Sequence, residues 1–330
     1  MAIPAPSTDR YRQRQTLSRE LVTDGRRAWR QLATADITGS WRAAMPRLMV
    51  TLTGAQLAAA RGSDEYVSAA LAEQGADVDP AGQVVPRSLA GTASDGRPLD
   101  TLLDQPRITT LTALSQGATT DRALASGWAE LEMILRTEVA DAGRVADGVA
   151  IASRPNTGWV RMIQGKTCGR CAILAGKWFA YNRGFERHPR CDCVHIPSRE
   201  ATSGDLTTDP RRYFDSLTET EQNRLFGATN AQAIRDGGNV TQVINARRGM
   251  YTAGGRRLTR EGTTRRGLAS QRMREIDPLT GERVRNVGRR GSVANYRERR
   301  VTRLMPEQIY DEATSRADAI RLLRLHGYIT

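Results

Sequence analysis

Lysine is nearly missing from this chain: of 49 basic residues only Lys166 and Lys177 are lysines, and the rest are arginines. Aromatic residues are also scarce, at 5% of 330 residues with 39% hydrophobic overall. Such a composition implies a modest core with substantial exposed or disordered segments. No run of about 18 apolar residues occurs, which excludes a transmembrane helix, so no membrane anchor is expected. The N-terminal stretch has no apolar core of the kind a secretory signal carries. H-E-x-x-H and G-x-S-x-G are both absent, which removes the commonest metalloprotease and serine-hydrolase signatures. With three histidines, two of them beside the cysteines, a Ser-His-Asp triad would have to rely on His326. The expectation is therefore a protein that is not an enzyme. Four cysteines are too few for a disulfide scaffold in a chain of this size.

What is present is unevenly placed. The net charge is +13, and between Arg247 and Arg303 seventeen arginines face five acids. Arginine codons are GC-rich, which accounts for the choice of arginine over lysine but not for the clustering. All four cysteines fall between positions 168 and 193. They read Cys168-x2-Cys171, sixteen intervening residues, then His188-x2-Cys191-x-Cys193. Structural zinc takes four nitrogen or sulfur ligands in a tetrahedron, and a C-x2-C turn brings two sulfurs to one metal. Five candidates compete for four places: Cys168, Cys171 and Cys191, with Cys193 or His188 completing the set. Such a closed set leaves no open position for a catalytic water. Two disulfides, or buried thiols without a metal, are the alternatives. His195, just beyond this segment, reads as a structural histidine, and His326 as a residue favouring the C-terminal dipole of a last helix.

Hydrophobic spacing organises the remainder. Leu17, Leu21, Ala28 and Leu32 mark a first helix, and a second runs near Leu57 to Leu71. Residues 75–98 hold glycine and proline without a period and read as a linker. Leu131, Leu135, Val139, Ala142, Val145, Val149 and Ala152 define one face of a long helix that Pro155 ends. The cysteine segment is rich in β-branched, aromatic and glycine residues, so short strands and turns are expected. A helical pair over 218–245, broken at Gly237-Gly238, is followed by a glycine-containing arginine stretch that reads as a mobile arm. A C-terminal helix has Pro306 near its start, an S-x-x-D box at Ser315 and Asp318, and Gly327 at its end. The fold class expected is mainly α (α+β). It comprises a helical body, a small Cys/His-stapled β/loop module, a basic flexible arm and a C-terminal helix. The partition is 1–74 helical, 75–98 linker, 99–200 helical and Cys/His module, 201–250 helical pair, 251–303 basic arm and 304–330 C-terminal helix.

Arg136-Thr137-Glu138, Trp159-Val160-Arg161, Cys168-Gly169-Arg170-Cys171, Leu174-Ala175-Gly176-Lys177 and His188-Pro189-Arg190-Cys191-Asp192-Cys193 together carry a family resemblance. In this stretch, roughly 130–200, the chain resembles the Mu F / SPP1-type head morphogenesis proteins of phages, and especially their actinobacteriophage branch. Residues 233–249 and the RLLRLHGYI ending are similar to the same branch. The resemblance implies a minor capsid protein located in the virion, inside the phage head, and assembled in the host cytoplasm near the portal. Its implied partners are the portal protein, scaffold or major capsid protein, and phage genomic DNA bound without sequence preference. Some relatives are fused to, or labelled as, capsid maturation proteases, which makes that activity the alternative.

The arginine arm has its own physical reading. Doublets at Arg256 and Arg257, Arg265 and Arg266, Arg289 and Arg290, and Arg299 and Arg300 are separated by flexible residues. Such doublets can neutralise phosphates without reading sequence. Acidic protein surfaces or plain solvation are the other readings. The terminal helix, with Ile320, Leu323 and Leu325 close together, suits either docking to a partner or packing on its own domain.

Overall fold

The computed structural model describes residues 3–163, 165, 167–185, 193–206, 208–264, 266–275 and 302–329, without the side chains of residues 205, 272, 274 and 275. It is mainly helical with small antiparallel sheets, in agreement with the mainly α (α+β) class. The chain divides into two compact units. The first holds Met1–Gln164 and Lys177–Thr207, and the second Gly165–Gly176 and Thr208–Thr330. The division cuts through the cysteine segment, unlike the partition drawn from sequence.

In the first unit, helices α1 (Ala5–Arg30), α2 (Ile37–Ala60), α3 (Ser63–Ala72), α4 (Leu99–Leu103), α5 (Gln105–Ser115) and α6 (Thr120–Ala152) precede the sheet. The stretch read as one helix near 57–71 is two helices, because Gly62 takes φ +69° and ends the run. Trp41, Leu52, Leu103, Leu131 and Leu135 form the main core. Trp29 and Trp41 meet edge to face at 5.2 Å, and each indole N–H donates to a backbone carbonyl, of Leu124 and Leu103 respectively. The glycine- and proline-rich loop packs on this body: Ala76 and Ala93 are buried, and Gly91 donates its N–H to Gln56.

The long helix α6 starts on the face its spacing predicts, with Leu131, Leu135, Val139 and Ala142 buried. Beyond Ala142 the buried face rotates to Ala146, Asp147, Ala150 and Ile151, leaving Val145 and Val149 about half exposed and Ala152 exposed. The reason is a change of packing partner. The first half lies on α1 and α2, whereas Ala150 and Ile151 join Tyr66, Val67 and Leu71 of α3 around Trp159.

Strands β1 (Gly158–Met162), β2 (Trp178–Ala180) and β3 (Val194–Ser198) form an antiparallel sheet in the order β2-β1-β3, with Arg161 opposite His195. The short strands expected of the cysteine segment are therefore present.

The second unit opens with α7 (Gly169–Ala175) and continues through α8 (Pro210–Asp215), α9 (Glu219–Phe226), α10 (Ala228–Arg235) and α11 (Val240–Asn245). The expected break at Gly237-Gly238 is present. An additional break at Gly227, with φ +88°, turns the expected helical pair into three helices. The stretch read as a mobile arm is structured over its first part. Strands β4 (Met250–Ala253) and β5 (Arg256–Thr259) form a hairpin, α12 (Leu268–Glu275) follows, and β6 (Arg303–Leu304) adds to β5. Helices α13 (Pro306–Glu312) and α14 (Arg316–Leu325) complete the unit. The end of the chain packs on its own unit: Ala319, Leu323 and Tyr328 are buried, and Asn239 donates its N–H to the Tyr328 carbonyl at 2.7 Å. Gly327 ends α14 with φ +68°, as its position predicts.

Candidate functional site

The predicted metal ligands are distributed as follows. Cys168 and Cys171 lie in the second unit and Cys193 in the first, while His188 and Cys191 lie outside the described residues. Cys168 caps α7, and the Cys171 N–H donates to its Sγ at 3.5 Å. The loop before α7 is fixed by Tyr213, whose hydroxyl accepts from the Thr167 N–H and donates to the Thr167 carbonyl. A Cβ at Gly169 would come within 2.8 Å of both Phe226 and Ile244, so only glycine fits at that position. The C-x2-C turn thus spans the N-terminus of α7. Among the described residues alone, no group of three His, Cys, Asp or Glu side chains is placed to hold one.

Of the arginine doublets, Arg256 and Arg257 sit on β5 and pair with the protein's own carboxylates. Arg256 bonds Glu312 of α13 at 2.6 Å, and Arg257 pairs with Asp311. Arg266 is exposed, whereas Arg265, Arg289, Arg290, Arg299 and Arg300 lie outside the described residues. Phosphates approaching the first doublet would compete with two half-exposed ion pairs.

Sequence reasoning missed the first unit's most elaborate polar site. Asp147 of α6, fully buried, pairs with Arg10 at 3.1 Å and with Arg14, both on α1. Arg10 also donates to the carbonyls of Ala59 and Arg61 at 2.7 Å each, and to Ser63 Oγ, which donates in turn to Asp147. Burial alone would raise the Asp147 pKa, but Arg14 and Arg10 outweigh it and hold the carboxyl below its ordinary range. One signal was available: Ser7, Arg10, Arg14 and Ser18 continue the helical spacing of Leu21, Gly25 and Trp29, so half of the buried stripe of α1 is polar.

Other buried side chains of the first unit fasten the edge of the sheet. Among the described residues, in the order β2-β1-β3, one side of β3 has no strand partner, and successive outward carbonyls there need donors. Arg144 Nε donates to the Cys193 carbonyl at 2.8 Å, the Tyr66 hydroxyl to that of His195 at 2.5 Å, and Gln74 Nε2 to that of Pro197 at 2.8 Å. Residues 193, 195 and 197 alternate along the strand, so side chains of α6 and α3 and the residue closely following α3 do what a fourth strand would do. Burial pushes the His195 pKa down to about 3, with Arg14, Arg144 and Arg161 adding to the effect against Asp147. The ring is neutral at pH 7 and stands edge-on to Trp159 and Phe185. His195 is thus buried against aromatic rings.

The resembling motif residues also find local roles. Arg161 lies buried with its guanidinium 3.8 Å from the Phe185 ring centroid. Glu138 accepts from the Ser94 N–H at 2.9 Å, from Ser94 Oγ and from Gln56, pinning the loop after residue 90. His326 is not a charged dipole partner. Its Nδ1 accepts the Leu304 N–H, and burial with nearby Arg303 and Arg256 lowers its pKa to about 4.

Fold and site together define a mainly helical protein in which buried polar side chains tie helices to a small sheet. The chain belongs to the VG15 protein family, a family of viral proteins, whose model matches residues 2–220. That match covers the whole first unit and the cysteine segment. No curated protein and no solved structure matches the chain. No helix among the described residues is long and apolar enough to cross a membrane.

Proposed function

We propose that this viral protein is a MuF-like minor capsid protein of a phage, acting in head morphogenesis near the portal and carried in the virion. The family match over residues 2–220, which spans the motifs from Arg136 to Cys193, is the observation that carries this reading. Its work is architectural. The His326 ring supports this reading, since its Nδ1 is taken up by the Leu304 N–H. Zinc would be held by Cys168 and Cys171, with the rest of the set drawn from His188, Cys191 and Cys193. Its contribution would be folding energy. The exposed arginines of residues 251–303 would contact DNA nonspecifically, or acidic surfaces of portal or scaffold.

Two experiments test this reading. The first is metal analysis by mass spectrometry on wild type and Cys168→Ser. One zinc per wild-type chain, lost in the variant, is expected, and no metal in either removes the zinc assignment. The second is incubation of the protein with procapsids. Specific cleavage abolished by a single substitution would favour the capsid maturation protease instead.

A further inference from the structure

Helix α6 contains three glycines, one in its first quarter and two in its second half, and they differ in kind. A Cβ on Gly127 would collide with Thr110, Pro106 and Trp29, and one on Gly143 with Arg14. Both are needed where neighbouring groups pack closely. Among the described residues, nothing lies within 4 Å of such a Cβ on Gly148. Glycine weakens a helix interior, and no packing contact explains this one. What its missing side chain leaves open is a pocket of about 280 Å³ in the first unit.

The pocket combines three features. Trp159, Phe185 and His195 line it, and His195 is 4% exposed with no hydrogen-bond partner at Nδ1. Val145, Val149 and Tyr181 also line it, and they are 48%, 44% and 58% exposed. They are three of the few large apolar residues left at the surface, gathered around one cavity. Arg183 is exposed and also lines it.

We propose that this pocket receives a single aromatic side chain, tryptophan or tyrosine, presented by an acidic segment of a partner protein. The inference stands apart from the assignment to the phage head. The volume falls just under the range of about 300–1,000 Å³ typical of small-molecule sites and suits one anchor residue. Aromatic walls favour an aromatic guest through edge-to-face contact, and such residues dominate interface energetics. The apolar flank of Val145 and Val149 would be covered by the partner's neighbouring residues. Arg183 favours a carboxylate beside the anchor over a phosphate-rich strand, because a single exposed arginine on an apolar rim is a poor track for nucleic acid.

The test uses the full chain and a capped tripeptide, glutamate–tryptophan–glutamate, at millimolar concentration, read by saturation-transfer NMR. Binding is expected, with none for the alanine-centred peptide. Gly148→Leu fills the pocket and should weaken binding at least ten-fold while its melting midpoint stays level or rises, which separates plugging from misfolding. Arg183→Glu should weaken the acidic peptide more than its glutamine-flanked counterpart. Three results overturn the proposal: no binding to wild type, equal binding to Gly148→Leu, or thymidine 5′-monophosphate binding in the peptide's place.

Discussion

Asp147 shows what a single residue carries here. It is the shared counter-charge of Arg10 and Arg14, with no exposed surface of its own. Removing one partner of a buried pair leaves an uncompensated charge, at a cost of about 3–5 kcal/mol. Asp147→Ala is therefore expected to destabilise by that order in urea unfolding, and a loss under 1 kcal/mol would contradict the network's role. The two buried histidines give a pH dependence. Their folded pKa values, about 3 for His195 and about 4 for His326, lie below the ordinary histidine value. The folded state thus excludes a proton that the unfolded chain binds. Their contribution is present above about pH 6.5 and is lost as pH falls towards the folded values, so stability should drop between pH 6.5 and 4. At pH 5 each histidine would cost about 2 kcal/mol. Replacing His195 by Phe should flatten the unfolding curve's dependence on pH over this window, and an unchanged slope would contradict the assignment.

At the scale of elements, α6 makes predictions of opposite sign along one helix. Gly127→Ala forces a Cβ to within 2.1 Å of Thr110 Oγ1, so it should destabilise by about 1–3 kcal/mol, as overpacking does. Gly148→Ala meets nothing and should stabilise by about 0.5–1 kcal/mol. Thermal unfolding of both variants checks the pair, and equal effects would contradict the packing described. This helix also shows how far periodicity reads. Leu131 to Ala142 were legible because one partner surface persists along them. Val145, Val149 and Ala152 were not, because the face that is buried depends on what packs there. The break at Gly62 and the hairpin at 250–259 escaped notice for related reasons. A positive φ and a strand pairing with β6, more than forty residues on, leave no periodic trace in the chain. The C-x2-C turn and the terminal helix signals were legible because each is a local device with its partners within a few residues.

For the whole molecule, the chain leaves its first unit at residue 165, returns at residue 177 and leaves again after residue 207. The crossing at residue 177 falls within the cysteine segment, which is why Cys168 and Cys171 lie in one unit and Cys193 in the other. The charge concentrated after residue 247 belongs wholly to the second unit. Part of it is neutralised locally, as the pairs of Arg256 and Arg257 with α13 show. DNA binding by the purified chain should therefore fall steeply with salt and depend little on Arg256→Ala or Arg257→Ala. A strong loss in either variant would place the phosphate contacts on the hairpin instead.

Quantitative mass spectrometry of purified procapsids and mature particles of the virus that encodes this chain tests the minor-capsid role most directly. The expected result is the chain present in both, at a copy number far below that of the major capsid protein. Its absence from both would contradict the role.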